Sequence, residues 1–169
     1  MSLFKPACVF SNITKITPEY LRAQGIKALV LDIDNTLTAH GSQQLAPDIA
    51  AWLQTMRDEG FALTVSSNNV KKRVQPFAQR IGLAFVAFSC KPLPFGLARA
   101  RRRLGSTKRE TALVGDQLFT DVLGARLYGI VPLLVEPMYE DTKPTIRLKR
   151  ALESPLLSRY YKSGGQRIG

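Results

Sequence analysis

The sequence predicts a single α/β domain with a mostly parallel five-stranded sheet and helices on both faces. Three observations support this. An apolar run, Ala28-Leu29-Val30-Leu31, has the length and content of a strand buried on both faces, and it ends abruptly at Asp32 and Asp34. Strand-length apolar segments then alternate with helix-length amphipathic ones, as in right-handed βαβ crossovers. Several of these strands also end in polar or charged residues grouped beyond the apolar run.

Residues 1–25 read as a lead-in, with Phe4, Val9, Phe10 and Ile13 as packing anchors. Thr17-Pro18-Glu19 opens a short helix there, and Gly25 closes it. The core spans 26–137. After the first strand and a polar loop around His40 and Gly41, Ile49, Trp52, Leu53 and Met56 recur at helical spacing up to Gly60. A second strand, Phe61 to Val65, leads into Ser66-Ser67-Asn68-Asn69 and a helix from Val70 to Ile81. The third strand, Leu83 to Phe88, is followed by Ser89-Cys90-Lys91-Pro92 and a helix rich in arginine, Leu93 to Leu104. The fourth, Thr111 to Val114, runs into Gly115-Asp116 and Thr120-Asp121, and its helix continues to about Tyr128. The fifth is Val131 to Val135, and Glu136-Pro137 ends it. Residues 138–169 read as a basic helical tail, in which Ile146, Leu148, Leu152, Leu156 and Leu157 interleave with Arg147, Lys149, Arg150, Arg159 and Lys162. Ser163 to Gln166 is expected to fray.

At 169 residues the chain suffices for one sizeable core. Hydrophobic residues at 45% and charged ones at 22% exclude a disordered protein. Cys8 and Cys90 have no framework spacing, so a disulfide scaffold is excluded and a reducing cytosol fits. The apolar beginning is too short for a membrane span, so neither export nor a transmembrane anchor is expected. The 24 Lys and Arg against 13 Asp and Glu give +11, which favours anionic partners: phosphate esters, acidic lipid surfaces or nucleic acid.

Strand side chains alternate, so Asp32, Asp34 and the Thr36 hydroxyl share a face at a carboxyl-terminal strand end. Two carboxylates so close require either a shared proton or a hard cation such as Mg²⁺. Ser67 and Asn68, Lys91, and Asp116 with Asp121 end three other strands. Since strand ends line the ligand crevice of an open α/β sheet, four separated stretches build one site. Each stretch has a bland account as a cap, turn or surface residue, but their coincidence does not.

Asp-Ile-Asp-Asn-Thr, a Ser-Asn after the second strand, a lone Lys-Pro, and Gly-Asp-Gln-Leu-Phe-Thr-Asp together resemble the four motifs of the haloacid dehalogenase superfamily. The chain is most similar to its subclass IIIA phosphatases, the YqeG-type and phosphatidylglycerophosphate phosphatase-like family. The resemblance implies a Rossmann-like fold and a Mg²⁺-dependent phosphomonoester hydrolase. It makes Asp32 the nucleophile and Asp34 the general acid and base. Ser67 and the Asn68 amide, with Thr36 beside them, would hold the phosphoryl group, and Lys91 would balance charge. Asp32, the Asp34 carbonyl and Asp116 would bind the metal, while Asp121 would support Lys91 or a metal-bound water. The doubled Ser66-Ser67 leaves two registers open for the phosphate-binding serine.

Superfamily members that enclose small substrates carry a cap domain, whereas each interval here has room only for one helix–strand unit. A capless, open site suits a large or interfacial substrate. With the basic tail and the net charge, this makes an anionic lipid phosphate the expected substrate; the resemblance implies phosphatidylglycerophosphate, with the protein cytoplasmic or peripheral at an acidic membrane. The rival is a soluble phosphatase of a sugar phosphate or nucleotide. A nucleic-acid-binding protein using Arg99 to Arg103 is disfavoured, because that run lacks interleaved aromatics. A signalling receiver domain is disfavoured too, because Asp32 leads its own acidic pair.

Overall fold

A strand buried on both faces must divide its side chains between two apolar layers, and β2 (Ala28–Leu31) does so. Leu29 and Leu31 enter one layer and Val30 the other, all fully buried. The computed structural model describes residues 2–141 and 143–169. Around β2 stand β3 (Ala62–Ser66) and β4 (Ala84–Val86) on one side, and β5 (Thr111–Gly115) and β6 (Val131–Val135) on the other. All pair parallel. The connection after β2 goes to β3, and the one after β4 crosses back over β2 to β5. The topological switch point therefore lies between β2 and β5.

Five strands are expected from sequence; the sheet has seven, in the order β4-β3-β2-β5-β6-β1-β7. β1 (Cys8–Phe10) comes from the lead-in and β7 (Arg167–Ile168) from the end of the tail. Neither is long enough to show a period in sequence, and each is specified by its neighbour. Leu133 to Val135 of β6 pair with Cys8 to Phe10. Val9 then donates to the Gln166 carbonyl at 3.1 Å, and Ser11 to that of Ile168 at 2.9 Å. The stretch expected to fray is thereby held: Gly165 donates to the Tyr160 carbonyl, and the Tyr160 hydroxyl donates to that of Gln166.

The helices cover both faces. On one lie α1 (Pro18–Ala23), α2 (Pro47–Asp58) and α3 (Lys71–Arg80). Their buried Leu21, Trp52, Leu53, Met56, Val74 and Phe77 pack on Leu29, Leu31, Val65 and Val114. On the other, α4 (Pro94–Leu104) and α5 (Leu123–Tyr128) bring Leu97, Ala100 and Ala125 to Val30 and Leu113. Trp52 spends its indole N–H on the Ile16 carbonyl at 2.7 Å, which fastens the lead-in to α2. The tail forms α6 (Pro144–Lys162) and docks on the sheet, where Tyr160 joins Val9, Leu118, Val122 and Leu134. Between β2 and β3, between β3 and β4, and between β4 and β5 there is one helix each. No described helix is long and apolar enough to cross a membrane.

Tyr160 closes the layer that joins β1, β6 and α6, so Tyr160→Ala should lower the unfolding free energy by about 3–5 kcal/mol. Urea denaturation would show the midpoint falling with little change of slope.

Candidate active site

Asp32 and Asp116 project from the carboxyl ends of the adjacent strands β2 and β5, at the switch point. Asp121 arrives from the π-helical turn Leu118–Val122 that precedes α5, a widened turn of the kind that re-aims side chains at functional sites. Carboxylate oxygens of Asp32, Asp116 and Asp121 lie within 4.8 Å of one another, and all three residues are buried. Gly115 makes this approach possible, since an added Cβ would overlap the Asp121 side chain.

Lys91 enters the cluster from the loop between β4 and α4. Its ammonium donates to Asp32 Oδ1 at 2.8 Å, Asp121 Oδ1 at 2.7 Å and the Ser66 carbonyl at 3.1 Å. These occupy all three hydrogens of a buried cation. The loop is held by Asn68, whose side chain donates to the Lys91 carbonyl at 2.9 Å and accepts from the Lys91 amide at 2.7 Å. It is also held by Gly96, where a side chain would overlap Ser89.

Burial raises the pKa of Asp32, with Lys91 opposing and the Asp121 charge adding to the rise. Burial likewise pushes Asp116 well above the carboxylate range, despite the ion pair with Arg150. For Lys91, burial favours the neutral form, but Asp121 and Asp32 outweigh it and its pKa is raised. Lys91 and Arg150 together therefore do not offset the burial of the three acids Asp32, Asp116 and Asp121. Asp116 Oδ1 is buried with no hydrogen-bond partner among the described residues, and the donors around it are all oxygen. Such a set fits a hard divalent cation.

Asp34 lies apart from this cluster. Its carboxylate accepts from the Gly41 amide at 2.8 Å, Arg73 at 2.9 Å and the Asn69 side chain at 2.6 Å. Ser67 is buried after β3 and accepts the Asn69 amide at 3.1 Å, while Ser66 turns its hydroxyl onto that of Ser89 at 2.7 Å. Thr36 is buried with its hydroxyl unpartnered, and no hydrogen bond joins it to the acids among the described residues.

Arg150 of α6 is the residue sequence reasoning missed. It pairs with the Asp116 carboxylate and carbonyl, and with Asp141 at 2.9 Å and Glu153 at 3.3 Å. Asp141 in turn accepts from Asn35 at 2.8 Å, so a polar chain runs from the β2 loop to α6. In the sequence Arg150 is one of several basic residues on a tail helix. The only distinguishing signal was Glu153, an acid one turn on from it, which is buried and caps the Phe119 amide.

This α/β fold, with acids and a lysine gathered at the switch point, is that of a hydrolase family. A family model described as haloacid dehalogenase-like hydrolase matches residues 39–129. The chain is also 33% identical over 161 residues to "Probable phosphatase YqeG" of Bacillus subtilis (strain 168), covering 95% of this chain and 94% of that protein. The chain belongs to the haloacid dehalogenase-like hydrolases. Within them it is a phosphatase of the YqeG-like kind. It is also 30% identical to the Arabidopsis thaliana protein named phosphatidylglycerophosphate phosphatase 1, chloroplastic/mitochondrial, across 94% of this chain but only 49% of that protein. Among solved structures, NagD of E. coli K-12 superposes with a TM-score of 0.56 at 14% identity, over 70% of this chain and 93% of that one, a likeness of fold.

Removing Lys91 would leave two buried carboxylates unpaired, a loss that typically costs 3–5 kcal/mol (about 3 expected here). Lys91→Ala should therefore abolish turnover and destabilise the protein at neutral pH. A carboxyl whose folded pKa is raised stabilises the fold below its unfolded value and loses that contribution as pH rises. Metal-free Lys91→Ala should accordingly recover towards the wild-type melting temperature as pH falls from 8 to about 5. Gly115→Ala, which displaces Asp121, should lower activity by about a hundredfold or more while leaving far-ultraviolet circular dichroism native.

Proposed function

We propose that the chain is a Mg²⁺-dependent phosphomonoesterase acting through an aspartyl-phosphate, with phosphatidylglycerophosphate as its substrate. The observation that carries the reading is the buried Asp32–Lys91–Asp121 arrangement beside Asp116. Lys91 engages one oxygen of Asp32 and leaves the other without a protein donor among the described residues, available to attack phosphorus in line. A carboxylate needs no deprotonation to do so, and covalent catalysis divides one displacement into two.

Asp34, oriented by Asn69, Arg73 and the Gly41 amide, delivers a proton from its carboxyl to the leaving oxygen and then takes one from water. Ser67 and the Asn68 amide hold the transferring phosphoryl oxygens, with Thr36 behind them. Lys91 balances charge on the nucleophile and the phosphoryl group, and Asp121 keeps Lys91 in place. Asp32, Asp116 and the Asp34 carbonyl would hold Mg²⁺, which when bound neutralises phosphoryl charge.

The lipid assignment is supported by the name of the plant relative, and by an open site with one helix per interval. A cavity of about 770 Å³ lined by Tyr139, Glu140, Asp141, Arg147 and Arg150 has room for the headgroup of such a substrate, with Arg147 the lining cation that has no ion-pair partner among the described residues. Water is excluded by the substrate or by the surface that carries it, and the +11 net charge supports an acidic membrane as that surface.

The test is phosphate release from phosphatidylglycerophosphate in mixed micelles, beside a small aryl phosphate, with and without Mg²⁺. Fast release from the lipid should vanish with chelator and fall at least about a thousandfold in Asp32→Asn. Mg²⁺ should also raise the melting temperature of wild type but not of Asp116→Asn. Release from the aryl ester alone would move the substrate to the soluble pool, and wild-type silence on both would overturn the reading.

A further inference from the structure

The chain's positive charge is not spread evenly. Between Glu59 and Glu110 the sequence contains eleven Lys and Arg and no Asp or Glu, while the remainder is balanced at 13 of each sign. All of the +11 therefore resides in the segment that forms β3, α3, β4 and α4. The same segment leaves large apolar side chains in water: Val70 is 48% exposed, Phe88 56%, Leu93 51% and Phe95 69%.

These four lie on one edge of the molecule. Val70 starts α3, Phe88 follows β4, and Leu93 and Phe95 start α4, all at the carboxyl-terminal edge of the sheet where the acids lie. The Phe88 amide donates to the Asn69 carbonyl at 3.0 Å, and the Leu93 amide to that of Cys90 at 2.8 Å. The Phe88–Asn69 bond and the Asn68–Lys91 clamp join the two loops into one surface, and the Leu93–Cys90 bond holds the second loop in its turn. Lys71, Arg99 and Arg103 line a groove of about 360 Å³ that runs up to Phe88. Phe88 has φ +48°, the left-handed region that Asn enters readily and bulky residues rarely do. A core aromatic earns such a conformation by burial, but Phe88 is outside.

We propose that this edge, rather than the tail, is the surface by which the enzyme docks on an anionic lipid bilayer. Val70, Phe88, Leu93 and Phe95 enter the headgroup boundary, and Lys71, Arg99 and Arg103 meet the acidic headgroups around them. The inference rests on the proposed lipid substrate and deepens it. The loops that carry the apolar tips are the ones whose inner sides hold Asn69 against Asp34 and Lys91 against Asp32. A bilayer bound there lies at the mouth of the site and supplies the cover that the fold omits. Apolar tips beside a cation-lined groove are the chemistry of an interfacial anchor, in which hydrocarbon burial and attraction to acidic lipid add. A nucleic acid would use the cations but leave Val70 and Leu93 without a purpose.

The experiment compares the Mg²⁺-loaded 169-residue enzyme with Phe88→Asn/Phe95→Ser, in which Asn suits the backbone at 88. Both are sedimented with phosphatidylcholine vesicles, with and without about a third phosphatidylglycerol. Wild type should bind the acidic vesicles, and the double variant should bind them at least about tenfold more weakly while hydrolysing aryl phosphate at the wild-type rate. Equal binding by the two proteins, or no binding by wild type, overturns the proposal. So does a wild-type dimer in sedimentation velocity, or retention on DNA, that the double variant loses. Release of phosphate from micellar phosphatidylglycerophosphate separates the two readings. If it proceeds while vesicles are ignored, the docking surface falls and the substrate stands; if it fails while acidic vesicles are bound, the substrate falls and the surface stands.

Discussion

The Lys91 ammonium is the interaction on which the rest of the structure depends. Its three partners come from separate parts of the chain: Asp32 beyond β2, the Ser66 carbonyl at the end of β3, and Asp121 in the π turn before α5. A buried cation has to be satisfied on every side, so the positions of these groups are strongly constrained. Features that look unrelated in sequence serve that constraint. Asn68 clamps the Lys91 backbone, Gly96 lets the loop reach its depth, and Gly115 leaves space for Asp121.

The site also stores electrostatic strain. Burial drives Asp32 and Asp116 toward their protonated forms, and neither Lys91 nor Arg150 cancels this. Such a cluster costs stability and is suited to receiving positive charge, as phosphatase chemistry requires. Arg150 makes α6 part of the arrangement. The family match ends at residue 129, yet Asp116 is gripped by a helix that begins at Pro144, and Asn35 reaches the same helix through Asp141. The tail is thus continuous with the site both chemically and through the β1 and β7 additions to the sheet.

Charge is divided along the chain in a way that composition alone hides. The two strands at one end of the seven-stranded sheet, β4 and β3, with α3 and α4, belong to the segment that holds the whole positive excess; the rest of the chain is balanced. The site opens at the border between them, with exposed apolar side chains on the basic flank and the Arg147–Arg150 cavity on the other. An enzyme without an enclosing domain has to rely on its surroundings for desolvation, and an asymmetric surface orients it with respect to them.

The core of this fold was legible in the sequence because its strands and helices announce themselves locally. The Ala28–Leu31 run is apolar enough to require burial on both faces, and α2 repeats Ile49, Trp52, Leu53 and Met56 at the helical period. The clustering of Asp32, Lys91, Asp116 and Asp121 was legible too, since the carboxyl ends of the strands line one edge in any parallel sheet. What the tertiary structure alone decided involves groups with no local signal. β1 and β7 exist because β6 and then β1 offer unpaired edges, not because three or two residues prefer to be extended. Ser66 and Ser67 are equivalent as letters, and only the pleat turns one hydroxyl to Ser89 and the other to Asn69. Arg150 is one basic residue among many until α6 docks and the buried Asp116 selects it. Periodicity and strand ends are properties of neighbouring residues and can be read along the chain, whereas the choice of an ion-pair partner or a sheet edge is made by proximity, which exists only once the chain has folded.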